Sequence, residues 1–271
     1  MRFLKEFWIG LFAFWQAFLF VRKHRMMWLV AIPAVLMLWI YHLGFVIKTH
    51  VFTSEVHNMN EIVWYIIQLF IEISIAVLLM NFSKYLVVAL LSPLLAFLSL
   101  KTERILTGNS YAFDFSQFIK DIIRGMKIVS RNFMWYYFFF TIVLIFSFIF
   151  WEKPTESPVF YIVYVIGFYY YGFSFIDYVN ERRQLNVKES IAFIRKHRGL
   201  AIAIGLVYSM MILVPVNIDA LFAWDQFSIR PLSMLGDFFV NLFLWFLASF
   251  APILASVSAT IAMNRIVSLK K

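Results

Sequence analysis

The sequence predicts an all-α membrane protein with about six hydrophobic helices, and three observations carry this prediction. Hydrophobic residues make up 63% of the 271 positions and charged residues only 14%, against about 25% charged in soluble domains. Six apolar stretches approach or exceed the roughly 20 residues that cross a bilayer as a helix. The basic residues flank these stretches. A soluble enzyme, a disordered protein and a disulfide scaffold are excluded, because no soluble fold of this size buries so much apolar surface.

The apolar stretches favour helices over strands, because they lack short alternating segments and a membrane admits only helices or closed barrels. They are residues 26–47, 62–80, 133–151, 159–178, 200–218 and 238–267. Segments 133–178 and 200–263 each begin and end on the same side by charge. Each is therefore either a pair of spans or a re-entrant hairpin. We expect residues 1–271 to form a single integral membrane domain.

The basic residues set the expected orientation. Twenty of the 24 lysines and arginines fall in segments 2–25, 101–132, 179–199 and 265–271. By the positive-inside rule these segments, and with them both termini, are cytoplasmic. Two of the segments hold amphipathic basic helices, predicted at 115–131 and 190–198, and Asn186 is placed to cap the second. Such helices suit a membrane surface of anionic lipids.

Two segments, the start of the chain and the long run at 62–100, differ in length from an ordinary membrane span. The first 25 residues are expected to form an interfacial amphipathic helix, whose small face of Glu6, Gly10, Ala13 and Ala17 packs on a neighbour. The run at 62–100 would be about 58 Å long as one helix. We interpret it as one span that leaves the membrane near Lys84 on the cytoplasmic side, with a kink at Pro93.

The chain carries no recognisable catalytic set, and we expect neither an enzyme nor a cofactor. Cysteine is absent, which excludes thiol catalysis, thiolate metal sites and disulfides. The five histidines are scattered; His50 and His57 share a loop with two glutamates, where a solvated loop is expected and a metal is the lesser alternative. No glycine-rich phosphate loop occurs. The net charge of +9 reflects membrane topology, so nucleic acid is not an expected partner.

Four polar residues in or beside the apolar stretches are candidate functional positions. They are Glu72, Asn81, Lys84 and Asp177. Glu72 belongs either to a transport pathway or to a buried structural pair. Asp177 lies near a cytoplasmic boundary and either has a functional role or simply caps the helix or pairs with Arg182. The nearby Tyr169–Tyr170–Tyr171 run fits an interfacial aromatic belt better than a polar path.

A basic cluster at residues 22–25 precedes the first apolar stretch. It either anchors the topology or binds an anion through Arg22 and Arg25, because guanidinium groups offer paired donors to an oxyanion. Near the other end of the chain, small residues recur along the last stretch and favour close helix packing or an oligomer contact over a pore lining. That stripe is Ala248, Ala251, Ala255 and Ala259, with Ser249, Ser256 and Ser258 beside it.

Several elements in order resemble the CysZ sulfate-permease and etoposide-induced membrane protein family. They are VRKHRMMWLVAIP with Pro33, LLSPLLAFLSLKTERILTG with Pro93 and Glu103, FIKDIIRGMKIVSRN, IDYVNERRQLNVKESIAFIRKHRGLAIAIGL, Pro215 to Asn217, and Ala251–Pro252 followed by Ser258 to Thr260. The resemblance implies long tilted spans, partly penetrating hairpins and a homo-oligomer. It further implies passive sulfate uptake across a bacterial inner membrane, with an anion site in the region of Arg25.

The sequence therefore indicates two alternative functions. The first is a passive permease or channel for sulfate or a related oxyanion. The alternative is a membrane-organising or partner-binding protein without transport activity.

Overall fold

The regular structure of the computed structural model is helical throughout its described residues, which are 2–40, 87–109, 115–152, 156–212, 214–217, 221 and 231–269. The helices are α1 (Arg2–Lys23), α2 (Met27–Ile40), α3 (Ser92–Thr107), α4 (Phe115–Phe150), α5 (Ile162–Arg182), α6 (Val187–Lys196), α7 (Arg198–Ile212) and α8 (Pro231–Val267). Helix α2 begins with the 3-10 turn Met27–Val30, and a second 3-10 turn, Pro158–Tyr161, leads into α5.

Helices α5 and α7 pack most closely and form the centre of the structure, with α1 and α8 also against α7. Two glycines allow the approach. A Cβ on Gly172 would lie 1.8 Å from the Ala201 carbonyl oxygen, and one on Gly205 would lie 1.7 Å from that of Phe168. The two backbones therefore touch, which is how small residues let helices pack in a membrane.

The small residues of α8 are buried against α3, as the stripe predicted. Ala251, Ala255 and Ala259 have no exposed surface. The Ser256 hydroxyl donates to the Leu95 carbonyl at 3.1 Å, and the Ser99 and Thr260 hydroxyls share a hydrogen bond of 2.7 Å. Hydroxyls bonded between helices satisfy polar groups that lipid would leave unpaired.

Helix α1 turns its small face inward, as expected. Glu6, Gly10, Ala13 and Ala17 are all buried, while the opposite face exposes large aromatic residues such as Trp8 and Trp15. The helix has 22 residues and is long and apolar enough to cross a bilayer. Helix α1 is therefore longer than the short apolar part of its sequence suggested.

The described residues contain four helices long and apolar enough to span a membrane: Arg2–Lys23, Ile123–Phe150, Pro158–Arg182 and Leu235–Val267. They make the chain an integral membrane protein with a helical fold. The predicted span at 62–80 lies outside the described residues. The stretch predicted at 200–218 was wrong in length, because α7 ends at Ile212. Pro215 follows three residues later, and a proline neither donates to a helix nor tolerates helical geometry before it.

Of two further local expectations, one was wrong and one agrees with the structure. The basic segment at 115–131 is not a separate helix, because it continues into the next apolar stretch as the 36-residue α4. Near Pro93, residues 87–90 are helical, Leu91 is a turn, and α3 begins at Ser92. Pro93 cannot donate a backbone hydrogen bond, so the interruption falls where the kink was predicted.

Candidate functional site

The predicted anion residues lie at the turn between α1 and α2. Arg22 is in the last turn of α1, and Arg25 adopts a left-handed conformation with φ of 53°. The Arg25 amide donates to the Arg22 carbonyl at 3.3 Å, and the Met26 amide donates to the Val21 carbonyl at 2.9 Å. Both arginine side chains are exposed. The turn therefore presents two guanidinium groups to the surroundings.

Beside this turn lies a cavity of about 400 Å³ between the ends of α1, α3 and α8. Its lining residues are Gln16, Leu19, Phe20, Lys23, Leu106, Ile261, Asn264 and Arg265. Two of them are cations, and within the described part of the chain neither Lys23 nor Arg265 forms an ion pair with a carboxylate. The cavity thus joins an apolar floor to an uncompensated positive charge.

Arg131 of α4 packs against α5. The Arg131 guanidinium lies over the Phe173 ring, 4.9 Å from its centroid, and its Nη1 is buried without a hydrogen-bond partner. Tyr170 and Tyr171 are both buried within the protein. The tyrosine run is therefore not the interfacial aromatic belt that the sequence favoured.

Asp177 lies in a buried polar network that ties α4, α5 and α6 together. Arg124 donates to its two carboxylate oxygens at 3.3 and 3.4 Å, and the Ser190 hydroxyl also donates to it. The Asn180 amide donates to Ser190 at 3.0 Å. These contacts satisfy a carboxylate whose side chain is only 3% exposed, as a buried charge requires.

The predicted pairing of Asp177 with Arg182 was wrong. Arg182 instead donates to Glu103 of α3 at 2.5 Å. Residues five apart on a helix lie about 140° apart around its axis and do not face each other. Asp177 therefore pairs with Arg124 and Glu103 pairs with Arg182, and each pair joins α5 to another helix.

A third polar cluster joins the start of α1 to the α6–α7 junction. Glu6 accepts from Arg2 Nε at 2.7 Å and lies 2.9 Å from His197 Nδ1, while Arg2 Nη2 lies 3.0 Å from His197 Nε2. A neutral imidazole that donates from Nδ1 and accepts at Nε2 fits these partners. Burial lowers the pKa of His197; Glu6 opposes this shift and Arg2 reinforces it.

Helix α6 begins as its sequence predicted. The Asn186 side chain accepts from the Glu189 amide at 2.9 Å, and the Glu189 carboxylate accepts from the Asn186 amide at 2.8 Å. This capping box holds the helix that carries Ser190 and Arg195. Nearby, Arg183 lies over the Phe193 ring at 4.9 Å, and burial lowers the pKa of this arginine.

Three predicted polar residues, Glu72, Asn81 and Lys84, lie outside the described residues, as does the loop with His50 and His57. Among the residues that are described, no group of three histidine, aspartate or glutamate side chains comes together in a metal-binding arrangement.

Sequence reasoning missed the roles of Arg124 and Arg131. Their spacing of seven residues places them on one face of α4, two turns apart, and this was the available signal.

One known protein family matches most of this chain. The family described as "Sulfate transporter CysZ/Etoposide-induced protein 2.4" matches residues 13–218, which is more than half of the chain. A search of curated proteins finds no match. The matched region runs from the middle of α1 through α7 and includes the turn with Arg22 and Arg25, the Asp177 network and Arg131. The chain therefore belongs to the CysZ/etoposide-induced protein family of sulfate-transporter-like membrane proteins.

Proposed function

We propose that the protein is a passive permease or channel for sulfate or a related oxyanion in a bacterial inner membrane. Membership of the CysZ/etoposide-induced protein family supports the substrate class. The lack of a glycine-rich phosphate loop in the sequence fits transport without ATP hydrolysis by this chain. The proposal includes both termini on the cytoplasmic side, anionic lipids as neighbours and a homo-oligomer.

The observation that carries the proposal is the basic cavity beside the α1–α2 turn. Lys23 and Arg265 line it without carboxylate partners in the described structure, and Arg22 and Arg25 stand exposed at the same turn. In this arrangement Arg22 and Arg25 attract the anion to the cytoplasmic mouth and hold it briefly. Charge-assisted hydrogen bonds contribute about 1.5–3 kcal/mol each, which is enough to select an anion without trapping it.

The test is uptake of radiolabelled sulfate by proteoliposomes, with phosphate and chloride as competitors. Arg25→Lys keeps the positive charge that fixes topology but loses the planar fork that grips two oxygens at once. We expect it to insert normally and to weaken sulfate binding about 10- to 100-fold. Arg104→Lys is the matched control, because Arg104 is exposed on α3 and does not line the cavity. Parent-like transport by Arg25→Lys would show that the basic cluster is only a topological anchor.

The alternative function is a membrane-organising or partner-binding protein without transport. The observation that favours it is the exposed hydrophobic face of α4, where Ile142, Ile145 and Ile149 are 48%, 55% and 68% exposed. Such a face suits lipid or a second protein surface. If the purified protein passes no anion while it binds a partner through α4, this alternative replaces the permease.

A further inference from the structure

We propose that the cavity beside the α1–α2 turn binds one anionic phospholipid, with its phosphate at Lys23 and Arg265 and the start of an acyl chain on the apolar lining. The ligand is a phosphodiester lipid with a hydroxylated headgroup, of which phosphatidylglycerol is an example. The inference deepens the proposed function and rests on it for placing this end of the helices in the cytoplasmic leaflet. Arg22 and Arg25 do not line the cavity and stay the residues that hold the transported anion.

The cavity is lined by one face of α1, one face of α8 and Leu106 in the last turn of α3. Residues three and four apart lie on the same side of a helix. Ile261 and Arg265 on α8 are four apart, and the lining residues of α1 follow the same spacing: Gln16, Leu19, Phe20 and Lys23. Each of the two helices therefore turns a continuous face toward the cavity.

Two contacts fix the walls of the cavity. Asn109 Nδ2 donates to the Leu269 carbonyl at 2.9 Å, which ties the chain just after α3 to the chain just after α8. The Arg265 guanidinium lies over the Phe12 ring of α1, 5.7 Å from its centroid, which is within the range of a cation–π contact. The ends of the three helices are thus held together around the cavity.

The donors in the cavity lack an acceptor. Neither Lys23 nor Arg265 pairs with a carboxylate among the described residues, and a cation–π contact leaves the in-plane N–H groups of an arginine available. Asn264 Oδ1 accepts from the Leu269 amide at 2.9 Å, so its amide nitrogen is the group left to donate. The phosphate diester of a lipid supplies a negative charge and several acceptor oxygens for these donors.

The cavity also holds an acceptor, which a bare oxyanion cannot use. Gln16 Oε1 is buried and has no hydrogen-bond partner among the described residues, although buried polar atoms are almost always paired. The terminal amide of a glutamine turns about a broad torsion, so this oxygen can meet a donor in the cavity. A headgroup hydroxyl donates to it, whereas sulfate has no proton to donate at neutral pH.

The apolar half of the lining continues onto the outer face of α1. Leu19 is 46% exposed, and Trp15, one turn earlier, is 61% exposed. A hydrated dianion gains nothing from these side chains, whereas an acyl chain packs on them. The cations lie at the helix ends and the apolar residues follow toward the middle of α1, which is the order of headgroup and chain in a leaflet. The cavity volume of about 400 Å³ lies within the range of about 300–1,000 Å³ for small-molecule sites.

The position of the cavity gives the lipid a role. Basic pockets between membrane helices on the cytoplasmic side bind anionic lipid headgroups. In the proposed orientation, the ends of α1, α3 and α8 lie on that side. A lipid that contacts all three helices links them beside the turn with Arg22 and Arg25, and so stabilises the cytoplasmic mouth.

The test is retention of lipid by the full-length protein, counted by native mass spectrometry after release from nanodiscs of phosphatidylcholine and phosphatidylglycerol. We expect the parent to retain phosphatidylglycerol in preference to phosphatidylcholine. Lys23→Gln combined with Arg265→Gln should lower this retention about 10-fold or more, because charge-assisted hydrogen bonds are lost. Both residues are exposed, so the double variant should fold. Arg104→Gln is the matched control, because Arg104 is an exposed cation in the last turn of α3 that does not line the cavity.

A second variant, Leu106→Trp, keeps both cations and fills the apolar part of the cavity. Leu106 is 37% exposed, so the larger side chain does not have to fit within the core. We expect it to lose phosphatidylglycerol as the double variant does. Parent-like retention by either variant would place the lipid outside the cavity and overturn the inference, as would equal retention of the two lipids or none by the parent.

Excess inorganic phosphate distinguishes the lipid from a free anion, with chloride at matched ionic strength as the reference. We expect the parent to keep its phosphatidylglycerol in both salts. If phosphate displaces the lipid and chloride does not, the cavity is a site for a free oxyanion and the inference is overturned.

The lipid assay is separate from the transport assay. Arg25-dependent sulfate flux with lipid retention that ignores Lys23 and Arg265 would overturn the lipid site and leave the permease standing. Retention that depends on Lys23 and Arg265, in a protein that passes no anion, would do the reverse.

Discussion

Alanine at Gly172 or Gly205 tests whether the α5–α7 contact is backbone against backbone. The Cβ of Gly172→Ala would lie 1.8 Å from the Ala201 carbonyl oxygen, and that of Gly205→Ala would lie 1.7 Å from the Phe168 carbonyl oxygen. Main-chain atoms cannot rotate away as a flexible side chain does. Each substitution therefore pushes the two helices apart, and we expect each to destabilise the fold.

The size of the effect follows from the distance. The difference between 1.8 Å and an ordinary contact of 3.4 Å is about 1.6 Å, which the helices must supply by separating. An atom pair in contact contributes about 0.1–0.2 kcal/mol, and a gap of 0.5–1 Å forfeits about a quarter to a half of it. If about 40 pairs across the interface lose half, the loss is about 2–4 kcal/mol. The expected loss thus reaches beyond the usual overpacking range of about 1–3 kcal/mol.

The assay is thermal unfolding of the detergent-solubilised protein, followed by intrinsic fluorescence. Gly236→Ala in α8 is the matched control, because no described atom beyond its own helical turn lies within 4 Å of the new Cβ. Glycine within a helix is less favourable than alanine by about 0.5–1 kcal/mol, so the control should be neutral or slightly stabilising. A Gly172→Ala protein with the parent's midpoint would refute the close contact of α5 and α7.

Three further predictions follow from the polar contacts and the charge pattern. Because burial lowers the pKa of His197 below its usual 6.5, the folded state binds fewer protons than the unfolded state, so stability should be complete above pH 6.5 and fall on acidification below it. His197→Asn should reduce that fall in a pH series of melting midpoints, and an unchanged series would contradict the assignment. Asp177→Ala should destabilise by about 1–3 kcal/mol, because Ser190 and Arg124 lose a buried acceptor while Arg124 keeps Glu181 and the Leu185 carbonyl as partners; a normal midpoint with lost flux would instead place Asp177 in the anion path. For topology, a single cysteine at Thr155 should react with an impermeant maleimide from outside and one at Ser130 should not, and the reverse pattern would refute cytoplasmic termini.

The features predicted well from sequence are those set by neighbours along the chain. Asn186 and Glu189 are three residues apart, so the capping box needs no tertiary contact. The buried faces of α1 and α8 follow from helical periodicity, which places Gly10, Ala13 and Ala17 on one side. Membership of the family was predicted from the order of such local elements, and the family match confirms it.

The features missed are those set by packing between distant segments. Arg124 and Asp177 are 53 positions apart, and Arg182 and Glu103 are 79 apart. Charge counting assigned these arginines to a cytoplasmic side but carried no information on which carboxylate each would meet. The length of α7 was missed for a different reason, since hydropathy continues past Ile212 whereas the backbone cannot remain helical as it approaches Pro215.

The same packing divides the cations of the protein into two kinds, and this division bears directly on function. Arg124 and Arg182 meet carboxylates at buried helix junctions, where they join α4 and α3 to α5. Lys23 and Arg25 lie at the α1–α2 turn and form no ion pair with a carboxylate among the described residues, and the same holds for Arg265 in the cavity beside this turn. Like charges held close together repel one another, and a bound anion removes that repulsion. On this reasoning, added sulfate should raise the melting midpoint of the parent protein as its concentration exceeds the dissociation constant, and it should do so less in Arg25→Lys.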